Sequence, residues 1–249
     1  SATLSPTTRV GNRTQISQKT IQIAGTLESI DKAGRKSEKA YQLSKASSEL
    51  KRDMEKILLS NQAAVTGDAS TARKLGSLQS WLETNVDLGT SGVAGSDGTT
   101  ARVDGTDRAF TETILKNVVK SCYENGGNPS VLMVTPTQKQ VVSGFAGIAE
   151  QRYQAPSNAP TTIVGAADVY LSDFGTLSVV PNRFMTAEAD GGEQAFVLDP
   201  EYASIAYLRP FATNELAKTG DSEKTQLLVE YTLEVKNEAA HGIAADLAE

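Results

Sequence analysis

The sequence predicts an α+β fold, and three stretches carry that prediction. Residues 37–62, "SEKAYQLSKASSELKRDMEKILLSNQ", hold helical periodicity without a break. Residues 225–237, "TQLLVEYTLEVKN", alternate apolar and polar side chains with the period of a half-buried antiparallel strand. Between them a helix beginning at Thr106, the apolar run "SVLMV" at 130–134 and the helix start "TPTQ" at 135–138 follow closely enough to describe a compact α/β core. At 249 residues the chain can bury a sizeable core, as one large domain or two connected ones.

Residues 1–36 are rich in Ser, Thr and Gln, with isolated apolar residues at Leu4, Val10, Ile16, Ile21, Ile23, Leu27 and Ile30. Ile21 and Ile23 alternate with polar Thr20 and Gln22, the period of an extended strand. So few apolar side chains cannot offset an ordering cost of ~1–2 kcal/mol per residue, so this segment reads as an arm, ordered only against something else. Ser37 then caps the long helix. Leu43, Leu50, Met54, Ile57 and Leu58 form a thin seam, with Ser47 and Asn61 on the same line, while charges of both signs cover the other faces. Glu38 to Gln62 would span roughly 37 Å, more than the ~26 Å width expected of a 100-residue domain. The helix must cross its core or project beyond it.

A second helix is expected at 70–84, with Ala72, Leu75, Leu78 and Leu82 on one face and Trp81 packed beside them. Residues 84–107, "TNVDLGTSGVAGSDGTTARVDGTD", carry five glycines and hardly a large apolar residue, so they read as a long flexible loop, functional or disordered. It lacks the Gly-Lys-Ser/Thr ending of a phosphate cradle. Phe110, Ile114, Val118 and Cys122 then recur every four residues until "NGG" at 125–127 stops the helix. Thr135 is placed to cap the next helix, with Pro136 in its first position and Gln138 able to reach back. The stretch "QAPSNAPTT" at 154–162 reads as a surface excursion. Short strands follow around "DVYL", "TLSVV", "AFVLD" and "ASIAYL", separated by turns such as "ADGGE" and "LDPE"; "DFG" at 173–175 is a hairpin turn, since no kinase partner motif accompanies it.

Chemistry finds little footing here. One cysteine, Cys122, rules out an internal disulfide and reads as a small buried hydrophobe. With a single histidine, His241, no zinc site of the usual type can be built, and His241 reads as a surface or core-mouth residue near a chain end. No metal, no cofactor and no catalytic residue is assigned; a paired-carboxylate enzyme using Asp168 and Asp173 is the residual enzymatic reading. The net charge of −6 argues against a nucleic-acid gripping surface, so any nucleic acid would be contained, not gripped. The longest apolar runs fall far short of the roughly 20 residues that cross a bilayer. An arm, a rod, a loop and a long outlying strand expose more backbone and seam than one copy covers, which implies that the partners are copies of the same chain.

The runs "RVGNRTQISQKTIQIAGTLESIDKAGRKSEKAYQLSKASSELKRDMEKILLSNQ", "TARKLGSLQSWLETN", "VLMVTPTQKQVVSGFAG", "DVYLSDFGTLSVVPNRFM" and "AFVLDPEYASIAYLRPF" resemble the tailed-bacteriophage major capsid proteins of the SU-ten type across nearly the whole sequence. The resemblance implies the Hong Kong 97 capsid fold, in which an arm and an extended loop reach over neighbours, a spine helix runs along a peripheral domain, and an axial domain meets its copies at the five- and six-fold positions. It divides the chain into residues 1–36 (arm and extended-loop strand), 37–106 (peripheral domain with spine helix 37–62 and the glycine-rich loop), 107–212 (axial domain) and 213–249 (peripheral long strand and C-terminal tail). The other half of the extended loop would lie upstream of Ser1, removed by a maturation protease or in preparation.

The function implied is non-enzymatic: self-assembly, as pentamers and hexamers, into an icosahedral virion shell around double-stranded DNA, in the host bacterial cytoplasm and away from membranes. Scaffolding, decoration, portal and maturation-protease partners are implied with it. The alternative is the shell of a cellular encapsulin-like compartment. In the arm, Ile16, Ile21, Ile23 and Leu27 would each contribute roughly 1.5–3 kcal/mol if buried on a neighbour. Arg9, Arg13, Arg35 and Lys36 are candidates for salt-sensitive partner contacts; the same four also fit ordinary solvated surface.

Overall fold

The computed structural model describes residues 10–30, 34, 36–145, 168–185, 193–218 and 220–248. Arg9, Arg35, the 154–162 excursion and most of the "ADGGE" turn lie outside them. The alternating N-terminal segment forms β1 (Gln15–Ala24), with odd-numbered side chains turned inward and even-numbered ones outward, followed by one short turn, α1 (Gly25–Ser29). The long helix, α2 (Glu38–Leu59), is capped by Ser37, whose Oγ accepts from the Ala40 N–H at 3.2 Å. It is about 33 Å long, one turn shorter than the sequence suggests. Ser60 turns extended, and both its N–H and its Oγ donate back to the Ile57 carbonyl. Asn61 and Gln62, expected on the helix, instead bond to Arg102 and Leu75.

The helix expected at 70–84 shrinks to one turn, α3 (Leu78–Trp81). Its polar residues are spent elsewhere: Gln79 donates to the Leu59 carbonyl at 3.1 Å, and the Ser77 N–H donates to Gln62. A Cβ on Gly76 would stand 2.4 Å from the Gly98 carbonyl, so this glycine is a close approach of two backbones. Leu75, Leu78 and Leu82 are buried as expected, whereas Ala72 is exposed. After β2 (Val86–Asp87), α4 (Glu112–Glu124) starts six residues beyond the expected Thr106, capped by Thr111. The chain continues through β3 (Val131–Val134) and α5 (Pro136–Ser143), which Thr135 caps through the Gln138 N–H. The Gln138 side chain does not reach back; it donates to Glu193 and to the Ala248 carbonyl. Then come β4 (Val169–Ser172), β5 (Gly175–Pro181), β6 (Glu193–Leu198), β7 (Ala203–Leu216), β8 (Ser222–Val235) and β9 (Gly242–Leu247). Asp173 and Phe174 close the β4–β5 hairpin, as "DFG" was read.

Two sheets result. One has three antiparallel strands in the order β1-β8-β7; the other is mixed, in the order β2-β9-β6-β3-β5-β4. The long strand is therefore central, not outlying, because β1 and β7 take its two edges. Its odd-numbered face, Leu227 to Leu233, meets Leu50, Met54 and Leu58 of α2 in one core. The six-stranded sheet separates that core from a second: Phe196 and Ile243 point into the first, while Ala195, Val197, Ala244 and Leu247 face α4 and α5. The C-terminal residues read as a tail thus form the sheet's interior. His241, expected near the surface, is fully buried; its Nδ1 accepts from the Asp199 N–H at 3.2 Å, and burial pushes its pKa down.

The glycine-rich loop is packed, not loose. Arg102 and Asp246, each 1% exposed at the side chain, pair at 2.6 Å, and Asp246 also accepts from the Gly89 N–H at 2.7 Å. A Cβ on Gly92 or Gly105 would stand within 2.9 Å of that carboxylate. The glycines are there to let the loop close on a buried charge.

Candidate assembly surface

The arm residues nominated from sequence fall into two groups. Ile16 and Leu27 are each 45% exposed, and Arg13 and Lys36 are exposed as well. Ile21 and Ile23 point the other way. Ile23 is only 7% exposed and Ile21 half-buried, on the inward side of β1, which lies against α2 in the same subunit. Ile23 has no side-chain surface left to give a neighbour, because the strand pairs within its own chain and alternation puts that residue inside. Arg9 and Arg35 lie outside the described residues.

The N-terminal end of β1 is tied down by polar contacts absent from any periodicity argument. Thr14 donates to Glu230 at 2.7 Å, and Arg73 and Arg209 bracket the same carboxylate, whose side chain is 4% exposed. The Thr14 hydroxyl and the two guanidinium groups outweigh burial and hold this carboxyl below the usual range. Asn12 donates to the carbonyls of Gly76, at 2.8 Å, and Leu233, at 3.0 Å, and accepts from the Gly76 N–H at 2.7 Å.

The other edge of the sheet is apolar where it faces water. On β7, Ile205, Tyr207 and Leu208 are exposed, Leu208 by 64%. The cross-strand partners of the first two, Leu233 and Tyr231, lie under α2, so the apolar stripe runs out past the cover the helix provides. Sequence reasoning placed only the first part of this strand and named none of these residues as interface.

Among the described residues, no catalytic constellation stands beside this surface. Cys122 is fully buried, and burial pushes its thiol up to about 12. Asp168 pairs with Lys139 at 3.3 Å and Asp173 sits in the β4–β5 turn. Among the described residues no cluster of three His, Cys, Asp or Glu could hold a metal, and no helix is long and apolar enough to cross a membrane.

The profile of one protein family, described as SU10 major capsid protein, matches residues 1–248. The chain belongs to that family. It is the major capsid protein of a phage. It is 27% identical to the major capsid protein of Escherichia phage Phieco32, over 96% of this chain and 76% of that one. In fold, the capsid protein is similar to the cyanophage A-1(L) capsid subunit, with a TM-score of 0.67 at 12% identity over 94% of this chain and 78% of that one. A solved structure from Mycobacterium phage Bobi gives 0.57 at 13% identity, over 97% and 76%. The SrpI encapsulin of Synechococcus elongatus PCC 7942 gives 0.60 at 9% identity, over 94% and 74%. These likenesses establish the Hong Kong 97-type fold.

Proposed function

We propose that this capsid protein assembles, as pentamers and hexamers, into a closed icosahedral shell that contains double-stranded DNA, and that it does so without catalysing a reaction. The family match over residues 1–248 carries the reading. Physical support comes from an assembly logic: closed symmetry lets several modest contacts per subunit sum, while each contact stays weak enough for errors to dissolve. Exposed Ile16 and Leu27 on one side and the β7 stripe on the other are the kind of apolar surface such contacts use. On this reading the three-stranded sheet with α2 forms the peripheral domain, and the six-stranded sheet with α4 and α5 forms the axial domain. Strand β9 then belongs to the axial part, which moves the boundary from that expected for 213–249.

The net charge of −6 suits DNA that is enclosed, with counter-ions, and not gripped by sequence. Assembly in the host cytoplasm, with scaffolding, decoration, portal and protease partners, follows from the same reading. The encapsulin fold likeness favours the second reading, a protein-filled compartment. Electron microscopy and nuclease protection on particles purified after expression with the phage's own head genes separate the two. Closed shells that protect DNA are expected; shells filled with a host enzyme would replace the phage reading, and isolated subunits would overturn both.

A further inference from the structure

An edge strand frays from its ends, and among the described residues β1 is bonded to a neighbour on one side only. Its N-terminal end is nevertheless the most heavily tied point of the segment. Asn12 pairs its amide with both the N–H and the carbonyl of Gly76, as a strand's own peptide would, while its second donor bond goes to Leu233. The Arg13 carbonyl accepts from Thr232 Oγ1 at 2.8 Å, and the Thr14 carbonyl accepts from Arg73 Nε at 2.8 Å. Gln15 Oε1 accepts from Gln62 and from the Leu75 N–H. Beneath them lies Glu230, a carboxylate on the polar face of β8, reached by Thr14, Arg73 and Arg209 from three separate stretches of chain. Four consecutive residues thus bond to β8 and to the 62–76 loop through groups that a half-buried strand does not require.

We propose that Asn12 and Glu230 are positioning residues for assembly: they staple the start of β1 so that exposed Ile16, beside the staple, is held at one fixed place from which it can meet a neighbouring copy. This inference rests on the shell-forming reading above. Its logic is entropic. A strand that binds a neighbour gives up less freedom when its end is already ordered within its own subunit.

Two variants of the full chain test it. Glu230→Gln removes the charge that Thr14 and both arginines share; Asn12→Asp keeps the shape, removes two donated bonds and leaves every ion pair intact. Trypsin cleavage after Arg13, followed by mass spectrometry, should accelerate by about tenfold or more in each. Hydrogen exchange in the middle of β8 should stay slow, and the yield of closed shells should fall. Unchanged cleavage at Arg13 in both variants overturns the staple; faster cleavage with wild-type shell yield overturns its role in assembly. Should Glu230→Gln also lose protection across β8, Asn12→Asp decides alone. Failure of the wild-type chain to form shells would count against the proposed function, while the proteolysis comparison would still judge the staple.

Discussion

Arg102→Met tests the charge buried under the glycine-rich loop; it also removes the guanidinium's 2.7 Å contact with Asp104, so the double variant with Asp246 assigns the effect to the buried pair. The wild-type pair is 2.6 Å apart with both side chains 1% exposed, so neither charge has water to fall back on. Burial by itself would raise the Asp246 pKa, but the N–H groups of Gly105 and Gly89 and the Arg102 guanidinium outweigh it and hold the carboxyl below its usual range. Removing the guanidinium leaves a buried anion with backbone donors only, at a cost of about 3–5 kcal/mol. That is a large share of the ~5–15 kcal/mol by which a folded protein is usually stable. The assay is urea unfolding of the unassembled subunit near neutral pH. Adding Asp246→Asn, which tolerates the positive φ of 56° and keeps an acceptor for Gly89, should recover more than about 1 kcal/mol of the loss. A single-variant cost below about 1 kcal/mol, or strictly additive effects in the double variant, would refute the argument that the loop closes on this pair.

Other outcomes follow from the same geometry. His241 is the only histidine, and its folded-state pKa is lowered, chiefly by burial, so the unfolded chain takes up a proton first: stability is full above about pH 6.5 and falls as pH drops below it. His241→Asn, whose Oδ1 can accept from Asp199 N–H, should remove most of the pH dependence of the unfolding free energy between about pH 6 and 7, above the range where the lowered carboxylates contribute. Gly98 has φ +70°, and a Cβ there would lie 2.5 Å from the Trp81 ring, so Gly98→Ala should destabilise by more than about 1 kcal/mol and shift the emission of the chain's one tryptophan. Ile16→Asp and Leu27→Asp should leave subunit stability within about 0.5 kcal/mol of wild type while lowering shell yield in electron micrographs. Ile23→Asp, placed inside, should instead unfold the subunit, as thermal denaturation would show.

Elements with a one-sided environment were legible in the sequence. Ser37 before a two-faced helix and Thr135-Pro136 before a short one are local signals, and β8 alternates because one face meets α2 and the other is mostly polar. Strand β9 escaped because both faces are buried, so "GIAADL" shows no alternation, and its small residues fit tight gaps: a Cβ on Gly242 would stand 2.5 Å from Val118. The expected helix at 70–84 failed for a related reason: Ser77 and Gln79 bond to carbonyls at and just past the end of α2, 15 and 20 residues away, and tertiary bonding overrides propensity. The arm's inward and outward faces were half readable. The alternation of Ile21 and Ile23 was correct, but which face would be covered by the chain itself depended on β8, some 200 residues downstream. Nothing local in "NRTQ" announces that Glu230 waits for it.

The pairing of β1 with β8, and the place of β9 inside the other sheet, also have a bearing on biosynthesis. The first strand leaves the ribosome long before its partner exists, and neither sheet can be finished until residues 222–247 have emerged. A nascent chain therefore lacks the surfaces that sister subunits would recognise for almost the whole of its translation, which keeps half-made polypeptides from being incorporated into a growing container.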